Sequence, residues 1–436
     1  NRAFEINIIL AIYVTKTYFF RPFIAIFNEE LNISQQIYLQ EVNAYYDSFS
    51  ASVVYWSLFY LLFGWLLGLL LFKSPKQYHL FFVPKVFLRM DQIIKNGGYL
   101  FWLSFILLFL ITYQDTSMGL KNAISGEGEG LILWGLMSFS LISLSCIFIF
   151  IKKYLSGDRM KWTDYLLFIP SMQEIFFSVI SGSRGTIIFF AMYITIYIIS
   201  NYKDKIIKNS IIFRNSLFGL LLIMLTVFLA LFSTILRSGL RYSDVKSAID
   251  LIEIYDFKNI ISNNFFFYLS ELLSRLADLK APFYILTDRY IYQPFDYYNP
   301  LTTSMRIIND LIPGSIFEVR SINQLFEFIY EGRDVVYNSE MWSIQGTLYI
   351  YFGHIFSVLF VFLTAILINY IYPSLQKILK SSEVFFAFFI VILFDLMENG
   401  TLERVVPVDI VRPISSIIIF SLWYQLVKIV LPKDVK

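Results

Sequence analysis

The sequence predicts an all-α polytopic membrane protein of about ten transmembrane helices, with one long outer-face loop that contains short amphipathic helices. Three observations lead there. The chain is 57% hydrophobic and only 16% charged, against roughly 25% charged in an ordinary soluble domain. Its mean hydropathy is +0.63. Its apolar runs are separated by loops that alternate between lysine-rich and acidic, the signature of a chain threaded back and forth through a bilayer.

A span takes about 20 apolar residues, so ten of them use roughly 200 of the 436 residues. That leaves no soluble catalytic domain unless one loop is long. The net charge of +2 offers no concentrated basic face, so no nucleic-acid partner is expected. One cysteine, Cys146, and two histidines, His79 and His354, exclude a disulfide framework and a His/Cys zinc site. Chemistry therefore falls to Arg, Asp, Glu, Tyr or a single His, with no metal or other cofactor expected.

Apolar runs bounded by charge place candidate spans at 4–20, 52–72, 99–113, 131–151, 164–180, 186–200, 216–236, 346–372, 384–396 and 413–431. The first lacks the basic, apolar and small-residue order of a cleaved leader and is expected to be retained. Lysine-rich connections carry Lys73, Lys76, Lys85, Arg89 and Lys95, then Lys152, Lys153, Arg159 and Lys161, then Lys203, Lys205, Lys208 and Arg214, then Lys377 and Lys380. The positive-inside rule puts these in the cytoplasm together with both termini. The connections with Glu29, Glu30, Glu41 and Asp47, and with Asp115, Glu127 and Glu129, then face outward.

This divides the chain into N-terminal helices over 1–236 (about seven spans), a large outer loop over 237–345, and C-terminal helices over 346–436 (about three spans). A connection of roughly a hundred residues usually signals function or an embedded small domain. Within it, 260–279 sets Phe265, Phe266, Leu269, Leu272, Leu273 and Leu276 beside Ser270, Glu271, Ser274 and Arg275, an amphipathic pattern suited to helices on the membrane surface. No internal repeat or inverted symmetry stands out, which argues against a transporter of two related halves.

Under this topology arginine collects outside, at Arg184, Arg237, Arg241, Arg275, Arg289, Arg306, Arg320, Arg404 and Arg412 among others. That runs against the positive-inside trend, and guanidinium is the group that grips phosphate through paired donors. Pairing with the loop carboxylates Asp288, Asp310, Glu318, Glu327 and Asp334 is the structural alternative. Arg184 lies in the turn Ser181-Gly182-Ser183-Arg184-Gly185 between two apolar runs, which sets its charge at the membrane boundary. Arg237 and Arg241, spaced i and i+4, share one helix face, whether to meet one anion or to snorkel. Glu174, Asp395 and Glu398 lie within apolar runs, where carboxylates are rarely idle; an arginine–carboxylate network is the alternative to catalysis.

The Ser181–Gly185 turn resembles the Gly/Ser-Arg turn of Wzy-type O-antigen and oligosaccharide repeat-unit polymerases. The likeness continues through the long outer loop, Ile312-Pro313 within it, and Glu340, Gly346, Tyr349, Phe352 and Gly353 opening the next span. Two departures are Gly314, where the family often has arginine, and Phe356, where it has a second glycine. The resemblance implies a bacterial inner-membrane enzyme, its long loop periplasmic. It would transfer the growing chain from undecaprenyl pyrophosphate to the next lipid-linked repeat unit, with a chain-length regulator and a flippase as possible partners.

That reaction expels a lipid pyrophosphate whose developing charge needs preorganised cations, here the outer arginines. It also needs a base near the attacking sugar hydroxyl, for which Glu340, Asp310, Glu403 and His354 are the candidates. A lone helix histidine such as His354 is more often structural than catalytic, although it can titrate near neutrality. Rival readings are a metal-dependent transferase using Glu29 and Glu30, an O-antigen ligase with the same chemistry, and a flippase of lipid-linked sugar with Glu174, Asp395 and Glu398 along its path.

Overall fold

The structure, a computed structural model, describes residues 3–19, 48–71, 84–108, 140–156, 160–180, 184–202, 224–235, 269, 300–311, 317, 343–399 and 405–430. Among the described residues the fold is helical, with no strand. Each predicted apolar run holds helix, and among the described residues three helices are long and apolar enough to cross a membrane: Ser52–Leu71 (20 residues), Tyr351–Ser381 (31 residues) and Asp409–Val430 (22 residues). The apolar helices Tyr99–Leu108, Thr186–Asn201 and Met224–Ile235 are shorter. The long loop and the first acidic connection, with Glu29 and Glu30, lie largely outside the described residues.

The chain forms two compact units, each assembled from separate stretches of sequence. One comprises Asn1–Phe82, Leu273–Lys380 and Phe389–Val411; the other comprises Val83–Leu272, Ser381–Phe388 and Arg412–Lys436.

In the first unit, helices Phe4–Val14, Ser48–Leu71 and Ser343–Ser381 pack through Ala3, Ile6, Trp65, Leu69, Ala365 and Tyr372, with Leu10, Val361, Ile368, Phe389 and Leu393 against them. The crossing is close because Gly64 and Gly68 of the second helix leave room for Val358, Phe362 and Ala365 of the third. Small residues four apart are the usual device for bringing two apolar helices into backbone contact. The same helix turns Trp56, Phe59, Phe63, Leu66 and Leu70 outward, each at least half exposed, a face that only an apolar surrounding suits.

In the second unit, Phe101, Trp102, Phe105 and Phe420 form an aromatic core, with rings 4.8 to 6.4 Å apart. Trp423 Nε1 donates to Ser104 Oγ at 3.1 Å. Phe148 and Tyr197 stack at 4.1 Å. Leu269, from the amphipathic pattern, packs on Ala230 and Leu231 with Ile188; the rest of 260–279 lies outside the described residues.

The N-terminus of helix Glu383–Asn399 is fixed within this second unit. Ser382 Oγ accepts from Phe385 N at 3.1 Å, and Asp91 Oδ1 accepts from Val384 N at 3.2 Å. Both satisfy amides that a first turn leaves without a helical partner. The Glu383 carboxylate is held by Lys152 and, at 3.3 Å, by Lys95.

Candidate functional site

The first unit has two distinguishable ends. At one, Tyr372 OH donates to the Glu5 carboxylate and accepts from Phe4 N at 2.9 Å, and Trp65 Nε1 donates to Asn7 Oδ1 at 2.8 Å. At the other, around Gln345, the polar groups are more numerous and more deeply buried.

There the helix Phe4–Val14 widens into a π-helical turn, Thr15–Phe19, that carries Lys16 and Tyr18 inward. Such widened turns are frequent at functional sites. Tyr18 OH donates to Gln345 Oε1, and Gln345 Nε2 reaches Ser57 Oγ and, at 2.9 Å, Val54 O. Tyr349 OH donates to Ser57 O at 3.1 Å. Gln345 and Tyr349 are each 1% exposed, so every polar atom here must find a partner within the protein.

Lys16 forms an ion pair with Glu398, with side chains 5% and 4% exposed, and the Lys16 ammonium lies 5.7 Å from the centre of the Phe394 ring. The second carboxylate oxygen of Glu398, Oε2, is buried without a hydrogen-bond partner among the described residues. A buried pair loses several kcal/mol of hydration per ion and recovers it only through close geometry. One oxygen left over is therefore notable.

One turn beyond Tyr349 the helix Ser343–Ser381 breaks at Gly353, whose φ of 68° and ψ of −174° suit glycine alone. The break frees backbone carbonyls, and the buried Ser357 hydroxyl takes up the slack, within reach of Gly353 O and 2.8 Å from Leu348 O. The apolar run predicted over 346–372 therefore carries a break near its start, at Phe352-Gly353. His354 follows the break with its side chain exposed, its ring centre 4.6 Å from that of Tyr349.

Of the predicted site residues, Arg306 and Asp310 stand one turn apart on helix Pro300–Leu311, which packs against the second π-helical stretch, Val405–Val411. Arg306 Nε is buried. Arg184 opens helix Arg184–Tyr202, so it belongs to the helix rather than to a free turn, and Arg412 opens helix Arg412–Val430. Glu340, Glu403, Arg237, Arg241, Arg275, Arg289, Arg320 and Arg404 lie outside the described residues. Arg306, Asp310 and His354 belong to the first unit, Arg184 and Arg412 to the second.

Two of the three carboxylates placed in apolar runs, Glu174 and Glu398, show their partners among the described residues. Glu174 accepts from Ser140 Oγ at 2.8 Å, and Glu398 takes Lys16. Lys16 is not among the site residues expected from the sequence. Its signal was present as a lone lysine inside the first apolar run.

Comparison with protein-family models, with curated proteins and with solved structures yields no match.

Proposed function

We propose that this protein polymerises undecaprenyl-pyrophosphate-linked oligosaccharide repeat units, as for an O-antigen or related surface polysaccharide, in a bacterial inner membrane. The chain would cross about ten times, with both termini in the cytoplasm. By the lysine-rich loops, the Gln345 end of the first unit faces the periplasm. The observation that carries the reading is the coincidence at that end of the Phe352-Gly353 motif, a helix break, and a buried polar cluster of Lys16, Tyr18, Gln345, Tyr349 and Glu398.

Broken helices and buried charges in a bilayer serve ligands, because backbone polar groups are otherwise too costly to free there. Glycosyl transfer from a lipid pyrophosphate needs cations where the leaving group departs and an acceptor where the sugar hydroxyl loses its proton. The outer arginines, Arg184 and Arg306 among them, are assigned to the first role. Glu340, Asp310, Glu403 and His354 are assigned as candidates for the second, with no metal required.

Purified protein given undecaprenyl-pyrophosphate repeat units and a chelator, without nucleotide sugar, is expected to produce a ladder of lengthened glycolipids. Absence of any lengthening with the correct substrate would refute the proposal. The Arg184→Lys variant should insert normally yet lose most of the ladder, since an ammonium cannot reproduce bidentate phosphate geometry; a full ladder would reduce Arg184 to a helix anchor.

The break at Gly353 and the buried Lys16–Glu398 pair also favour a second reading, a flippase of lipid-linked oligosaccharide. Sealed liposomes separate the two: a flippase moves the lipid-linked sugar between leaflets without changing its length.

A further inference from the structure

The Lys16–Glu398 pair is the most deeply buried charged feature among the described ion pairs, with both side chains at or below 5% exposure. Hydrophobic replacement of such a pair is often neutral or stabilising, so stability alone is a weak reason to retain one. Three features point to a working role. Lys16 sits in the π-helical turn Thr15–Phe19, where the backbone ladder is already loosened. Glu398 Oε2 has no hydrogen-bond partner among the described residues. The pair shares its end of the bundle with the break at Gly353 and the Tyr18–Gln345–Ser57 chain.

Lys16 also has two places to go. If the Gln345 end faces outward, Lys16 lies four residues from the end of its predicted span, at most about 6 Å of helix. That is within the reach of a lysine stem, which snorkels readily to a headgroup layer. A pyrophosphate arriving there is a stronger attractor than a carboxylate already paired in an apolar interior, because it presents more charge and needs no buried partner.

We infer that Lys16 is a binding residue for a pyrophosphate headgroup, and that its transfer from Glu398 to that anion releases Glu398 as the base for the attacking sugar hydroxyl. This rests on the glycosyl-transfer reading above. In the step, the hydroxyl oxygen bonds to the anomeric carbon of the donor while the bond from that carbon to the pyrophosphate oxygen breaks. The electron pair leaves with the lipid pyrophosphate, and the hydroxyl proton passes to Glu398. When the leaving group departs, Lys16 returns, the carboxylate is again favoured in its ionised form, and the proton is given up to water. The base thus acts only when a donor headgroup is present, which suppresses idle proton transfer.

The test reads Glu398 directly and turnover separately. Dicyclohexylcarbodiimide modifies protonated carboxyls in apolar surroundings, and mass spectrometry locates the adduct. Undecaprenyl pyrophosphate offers no sugar hydroxyl, so the released carboxylate takes its proton in part from water; the ligand is expected to raise modification of Glu398 several-fold over ligand-free protein, undecaprenol to leave it unchanged, and Lys16→Met to give high modification with no ligand. An equal rise with inorganic pyrophosphate assigns recognition to the anion itself; a rise with the lipid form alone assigns it to the lipid-borne group. Modification of Glu398 indifferent to both anions overturns the inference.

In the ladder assay, Glu398→Gln is expected to lose about a hundredfold or more in kcat with little change in KM, and Lys16→Met to raise KM. The reversed pair, Lys16→Glu with Glu398→Lys, should restore folding yield and melting temperature without restoring turnover. A merely structural pair would recover both, and that result overturns the inference. A wild-type ladder with an equally fast Glu398→Gln ladder removes the inference and keeps the polymerase. Anion-responsive modification without any wild-type ladder keeps the Lys16 switch and removes the polymerase, along with the assignment of Glu398 as its base.

Discussion

Gly353 has a φ of 68° and open space where a side chain would project, so an alanine there meets no neighbour but must hold a conformation costing about 1–3 kcal/mol. Gly353→Ala should therefore lower the melting temperature of the purified protein and, by pulling the helix towards continuity, disturb Tyr349 and Gln345 as well; unchanged melting and activity would mean that the break does not matter. Glu383 makes a different kind of prediction. Burial alone would raise its carboxyl, but the hydrogen bond and charge of Lys152, with Lys95, outweigh it and hold the group below the ordinary glutamate range. A depressed acid contributes stability that is present above its unfolded pKa and is lost as pH falls through the folded one. Asp91 beside it works the opposite way. Burial raises its carboxyl, reinforced by Glu383 against the opposing Ser382, Lys95 and Val384 contacts, so its penalty grows as pH rises above the ordinary aspartate range. Melting curves from neutral to acid pH should show Glu383→Gln removing part of the acid-side loss and Asp91→Asn lessening the penalty at neutral pH. Identical pH profiles in all three proteins would contradict both assignments.

The packing of helix Ser48–Leu71 on Ser343–Ser381 turns on Gly68, where an added Cβ would stand 2.6 Å from Phe362 O and 2.7 Å from the Ala365 Cβ. The first of these is backbone and cannot swing away, so Gly68→Ala should destabilise the first unit by about 1–3 kcal/mol. Gly64, with its nearest contact at 3.1 Å to Val358, should be the more tolerant of the two when yields and melting temperatures are compared; equal tolerance would argue against this crossing. Helix positions were legible in the sequence because each needs only a local apolar run, and so the run at 52–72 reappears as Ser52–Leu71. The crossing was not legible, since Gly64 and Gly68 find their neighbours about three hundred positions away. The same holds for the ion pair, whose members are 382 residues apart. The lysine-rich loops serve in the sequence as topology signals, yet two of their lysines, Lys95 and Lys152, also hold Glu383. Composition and periodicity carry the class of a fold, whereas charge partners are decided by packing.

For the whole molecule, the alternation of lysine-rich and acidic loops makes the proposed sidedness testable. A cysteine at Asn323 should react with an impermeant thiol reagent added outside intact spheroplasts, and one at Ser156, beside the lysine-rich turn, should not; the reverse pattern would invert the assignment of both ends. The candidate site was legible in part. The Phe352-Gly353 pair coincides with a helix break because a glycine is needed there for its backbone, whereas the arginines identified by residue type alone fall into both compact units, with Arg306 in one and Arg184 and Arg412 in the other. The central claim is that each new linkage expels one lipid pyrophosphate from the growing chain. Its most direct measurement is to supply lipid-linked repeat units and count undecaprenyl pyrophosphate released against glycosidic bonds formed. One equivalent per bond, with lipid retained only on the most recently added unit, is the predicted result. Movement of the lipid-linked sugar with no lipid released, or release without lengthening, would contradict it.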